Sequence, residues 1–69
     1  MIFKGVIFKK DQDYFVHTQN KSLRQKVYPL AKNTLYDLLL ETEVYFELIP
    51  NNIEDDEQVE FTARFVSKT

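Results

Sequence analysis

Strict alternation of apolar and polar residues marks the second half of the chain. In TEVYFELI, Val44, Phe46 and Leu48 alternate with Glu43, Tyr45 and Glu47, the period-two pattern of a half-buried strand. In QVEFTARFV, Val59, Phe61, Ala63 and Phe65 alternate with Glu60, Thr62 and Arg64 in the same way. Between them lies PNNIEDDE, where Pro50 halts the ladder, Asn51 and Asn52 suit a turn, and the acids from Glu54 to Glu57 keep the tip in water. The pair predicts a long-looped antiparallel hairpin.

Ahead of it, NTLYDLLLE predicts a short helix over 34–41. Thr34 caps the first amides, Asp37 sits at capping-box spacing, and Leu35, Leu38 and Leu39 fall on one helical face. The first third is strand-like. IFKGVIF is rich in β-formers, with Gly5 marking a bulge or bend. DYFVHT and RQKVYPL follow, set off by the turn-like segments KKDQ and QNKS, and Pro29 closes the third strand or marks it as an edge. The predicted order is β-β-β-α-β-β. In one small domain spanning 1–69, that order predicts an all-β, five-stranded OB-like Greek-key barrel with the helix between strands 3 and 4. An SH3-like barrel is the competitor.

A chain of 69 residues buries little surface, so six Phe and four Tyr supply what a small core lacks. The absence of cysteine removes disulfides, thiolate metal sites and Cys nucleophiles. The opening MIFKGVIFKKD is broken by Lys4, Lys9 and Lys10 and lacks a small-residue cleavage site, so no signal peptide is expected. The longest apolar run is far short of a membrane span. These features predict a soluble cytoplasmic protein. Asn20-Lys21-Ser22 fits a glycosylation acceptor, but nothing directs the chain to secretion.

The formal net charge is −2 and unevenly spread. Residues 1–36 hold seven of nine basic residues and two of eleven acids, a balance of +5, against −7 for residues 37–69. Either the first half presents a basic face to an anion, or the two halves pair with each other.

From Lys4 onward, KGVIFKKDQDYFV resembles the opening of the cold-shock domain family, with its Lys-Gly, first strand, short turn and aromatic second strand. KVYPLA sits where that family has its Val-Phe-Val-His-Phe strand, and TEVYFELI and VEFTARFV are similar to its closing strands. The likeness departs where function lies. Residues 12–16, Gln-Asp-Tyr-Phe-Val, keep one aromatic of the family's Lys-Gly-Phe-Gly-Phe-Ile and neither glycine. Tyr28 matches the third strand's first aromatic, Leu30 and Ala31 replace its histidine and second aromatic, and the first-strand tryptophan has only Phe8 or Lys9 nearby. The resemblance implies a binder of single-stranded RNA or DNA with little sequence preference.

Such binding needs outward aromatics beside cations. In DYFVHT, Tyr14, Val16 and Thr18 share one face and Phe15 and His17 the other. With the first set in the core, Phe15 and His17 form a platform joined by Tyr28 and Phe8, with Lys4, Lys9, Lys10, Arg24 and Lys26 along the nucleic-acid backbone. A register shift of one residue inverts this assignment, burying Phe15 and exposing Tyr14.

No catalytic, metal or cofactor site is expected. Asp13 and His17 lie roughly 13 Å apart along a strand, too far to share a metal. EDDE at 54–57 lacks the alternating ligands and central glycine of a calcium loop. No glycine-rich phosphate loop exists, and the serines have no histidine close in sequence. The rival to nucleic-acid binding is a protein-interaction module, docking on a partner or pairing as a homodimer through outward Tyr45 and Ile49 with an acidic rim of Glu43 and Glu47.

Overall fold

The strand β1, Ile2–Lys10, serves two neighbours along different halves of its length in a computed structural model that describes residues 1–50 and 60–69. Its first half pairs antiparallel with β4 (Glu43–Pro50), from Ile2 opposite Glu47 to Val6 opposite Glu43. Its second half pairs with β2 (Asp13–His17), from Val6 opposite His17 to Lys10 opposite Asp13. Val6 is the hand-over residue. Beyond it, the connection into β4 takes over the vacated edge: Leu40 bridges Ile7 in parallel, and the Glu41 amide donates to the Ile7 carbonyl at 2.7 Å.

Outside these, β2 pairs with β3 (Val27–Pro29) and β4 with β5 (Phe61–Lys68). The sheet is five-stranded and antiparallel, in the order β3-β2-β1-β4-β5. Just past β3, Leu30 forms a parallel bridge to Ala63 of β5, so the two edges approach each other at that point. β5 carries one extra residue, Val66, between Phe65 opposite Phe46 and Ser67 opposite Tyr45. Such a bulge sharpens the local twist. Pro50 is the last residue of β4, opposite Phe61. The acidic tip 54–57 and Val59 lie outside the described residues.

The pleat sends alternate residues to opposite faces. Phe3, Ile7, Tyr14, Val16, Val44, Phe46 and Ala63 point inward and are buried, whereas Lys4, Val6, Phe8 and Lys10 lie on the outer face of β1. The inward set of β2 is therefore Tyr14 and Val16, continued by buried Thr18. Gly5 marks no bulge, since the β1–β4 register runs unbroken through it. It answers a close approach instead. A Cβ at this position would lie 2.6 Å from Val16 Cγ2, 2.8 Å from the His17 carbonyl oxygen and 2.9 Å from Phe46 Cε1.

The predicted helix is a 3-10 helix, Thr34–Leu39. Its cap is Asn33, one residue earlier than the sequence suggests, with Oδ1 accepting from the Leu35 amide at 3.0 Å. At three residues per turn, i and i+3 share a face. Tyr36 and Leu39 are accordingly buried, while Leu35 and Leu38 stand 64% and 82% exposed, correcting the expectation of one leucine face. Asp37 does not close a capping box. It accepts from the Tyr14 hydroxyl at 2.7 Å and from Lys9 Nζ at 3.4 Å, tying the helix to the β1–β2 hairpin. Among the described residues, no helix is long and apolar enough to cross a membrane.

Candidate nucleic-acid interface

The outer face of β1 and β2 carries an aromatic pair. Phe8 and Phe15 are cross-strand partners with ring centroids 5.4 Å apart and planes at 24°, stacked and half-buried. Pro29 of β3 lies opposite Phe15 on the other side. One step along the pleat, Val27, His17 and Val6 form a second exposed row. A third holds Lys4 opposite Tyr45, the Lys4 ammonium 5.8 Å from the ring centroid. Lys10 ends the face beside the hairpin turn.

Four expected members are elsewhere. Tyr28 lies opposite Val16 and shares its inward face; at 3% exposed it is a core residue and stacks no ligand. Lys9 has the inward parity of Ile7, and its ammonium lies 5.3 Å from the Tyr14 ring centroid while bridging to Asp37. Arg24 lines a different cleft, with Met1, Phe3, Leu23, Leu48 and Phe61. Lys26 precedes β3 and donates to the Asn20 carbonyl at 3.0 Å.

The contact between the oppositely charged halves is partial. Lys9–Asp37 joins them, and Arg64 pairs with Glu47 within the second half. Lys4, Lys10, Arg24 and Lys26 form no ion pair among the described residues. The Tyr14 hydrogen bond and, after it, the Lys9 charge hold the Asp37 carboxyl below its ordinary range, while the carboxylate raises both Lys9 and Tyr14. These shifts belong to a structural clasp away from the outer face.

The loop after β2 is built by Thr18 and Asn20. Thr18 Oγ1 donates to the Lys4 carbonyl at 2.8 Å and accepts from the Asn20 amide at 3.2 Å. Asn20 Oδ1 then accepts from the Ser22 amide and hydroxyl, an Asx turn that accounts for the Asn-Lys-Ser spacing. This loop borders an open cleft of about 570 Å³ on the outer face, lined by Lys4, Val6, His17, Gln19, Glu43 and Tyr45. By sequence alone, Lys4 and His17 fall with the binding face, and Tyr45 and Glu43 with a separate surface. Only the pairing of β1 with β4 brings them together. Among the described residues, no cluster of three or more His, Cys, Asp or Glu side chains is arranged to hold a metal.

No family model, curated protein or solved structure matches this chain.

Proposed function

We propose that this chain is an OB-like Greek-key barrel that binds single-stranded RNA or DNA, with low sequence preference, through the outer face of β1 and β2. Two features support the barrel reading: the 3-10 helix between β3 and β4, and the Leu30–Ala63 bridge between the edge strands. Closure along that bridge would carry the strands in the order β1-β2-β3-β5-β4 and back to β1, a Greek-key path. The OB-fold receives oligonucleotides across its sheet face and the β1–β2 loop.

The observation that carries the function is the outward Phe8–Phe15 pair beside Lys10 and His17. Stacking on such rings is worth about 1–3 kcal/mol per base and tolerates any base. Phe8, Phe15 and His17 are the stacking groups, and Lys4 and Lys10 follow the backbone.

Fluorescence anisotropy of a labelled mixed-sequence oligonucleotide, RNA and DNA, tests the proposal at low and near-physiological salt. Binding should weaken with a log–log slope of about −0.7 per phosphate contact. The double variant Phe8→Ala/Phe15→Ala should lose binding while keeping the wild-type circular dichroism spectrum. No binding at low salt would overturn the proposal.

A second reading, docking on a protein partner, draws on the exposed Leu35 and Leu38 of the 3-10 helix. Size-exclusion mass at two concentrations tests self-association, and loss of a concentration-dependent dimer on Leu38→Ser would identify that helix as the contact.

A further inference from the structure

The cleft beside the aromatic pair has a polar lining suited to one nucleobase. It lies one to two pleat steps from Phe8 and Phe15 on the same outer face, so a strand crossing the rings also crosses the cleft. Its volume falls within the range of clefts that seat small ligands. Tyr45 supplies a ring and Val6 an apolar patch. Lys4 and His17 border it as basic groups, and Glu43 is its one carboxylate.

The Glu43 side chain has no hydrogen bond or ion pair among the described residues. Its main-chain oxygen accepts from the Thr69 amide and hydroxyl. An exposed carboxylate beside a base-stacking face selects for paired donors. Unstacked bases are read on their Watson–Crick edges. Guanine presents N1–H and the N2 amino group side by side, matching the two carboxylate oxygens, and its O6 and N7 accept from a lysine ammonium. Adenine and cytosine place an acceptor next to their amino donor, and uracil and thymine flank a single N–H with two carbonyls. Each of these sets an acceptor against Glu43.

We propose that this cleft is a guanine subsite, with Glu43 accepting from N1–H and N2–H, Tyr45 stacking the base and Lys4 meeting O6 or N7. The inference rests on the single-strand-binding reading above and adds one position at which base identity counts.

The test is anisotropy of labelled oligo-dT carrying a single central guanosine, inosine or adenosine, at low salt. Guanosine should bind about tenfold more tightly than inosine, which lacks only the 2-amino donor. Glu43→Gln, a change at an exposed site, should remove that difference without lowering oligo-dT affinity and with the thermal midpoint unchanged. Equal binding of all three oligonucleotides would overturn the subsite and leave the general binding face standing. A guanosine preference that survives Glu43→Gln would overturn the role of Glu43. Failure of every oligonucleotide to bind would overturn the underlying reading and the subsite with it.

Discussion

The Tyr14 hydroxyl donates to Asp37 Oδ1 at 2.7 Å, joining the start of β2 to the 3-10 helix across 23 positions of sequence. With Lys9 on the same oxygen, this bond fastens the helix to the hairpin without a buried charge.

That clasp makes stability depend on pH at both ends. Asp37 has a lowered pKa in the folded chain, chiefly from the Tyr14 bond, so its contribution is present above the ordinary carboxylate value and is lost as pH falls through the folded one. Tyr14 and Lys9 are raised, chiefly by Asp37, so their contribution is complete below about 10 and is lost as pH rises through their folded values. Tyr14→Phe should lower the thermal midpoint near pH 7 and flatten the acid limb. Melts from pH 2 to 11 measure this; superimposable profiles would show that the clasp contributes nothing.

Gly5→Ala should destabilise the chain. The new methyl group would press on Val16, Phe46 and the His17 carbonyl oxygen, all closer than 3 Å, and the backbone oxygen cannot rotate aside. Overpacking of this kind costs about 1–3 kcal/mol, and each kcal/mol lowers the midpoint of a domain this size by roughly 4–8 °C. Thermal unfolding reads the effect directly, and an unchanged midpoint would mean that β2 and Phe46 yield freely.

At Glu41 the opposite is expected. Its φ of 62° lies in the left-handed region, which costs a non-glycine residue about 1–2 kcal/mol. Glycine removes that strain but adds unfolded-state entropy, leaving a net gain of roughly 0.5–1 kcal/mol for Glu41→Gly. The Glu41 amide bond to Ile7 is kept. Urea unfolding decides the matter, since a lower midpoint would show that the side chain is worth more than the strain.

Tyr28 and Phe15 should separate stability from binding. Tyr28→Ala empties a core position and costs about 3–5 kcal/mol, a large part of what a small domain holds. Phe15→Ala, on the outer face, loses a stacked pair worth about 0.5–1.5 kcal/mol, a far smaller stability cost than Tyr28→Ala, and should weaken oligonucleotide binding. Tyr28→Phe should alter neither, because its hydroxyl makes no hydrogen bond among the described residues. A Tyr28→Phe variant that stays folded but fails to bind would return Tyr28 to the interface.

Much of the fold was legible because pleating is local. Val44, Phe46 and Leu48 against Glu43, Tyr45 and Glu47 announce a half-buried strand without reference to any partner, and Tyr14 and Val16 do the same in β2. The helix was located correctly but not its type. Thr34 and Asp37 fit a capping box on paper, yet Asn33 takes the cap and Tyr14 and Lys9 take the Asp37 carboxylate, a competition between local and distant partners that local spacing does not register.

Alternation, β-former content and turn residues marked the five strands along the chain and put Phe15 and His17 together on one face of β2, leaving open which face is buried. Long-range pairing decided the rest. That Tyr28 is core follows from its place opposite Val16, and that Lys4, Glu43 and Tyr45 share a cleft follows from β1 turning from β2 to β4 at Val6. The physical reason is the range of each interaction. A side chain's face within one strand is set by backbone geometry two residues away, whereas its neighbours across the sheet depend on register and twist between segments tens of residues apart.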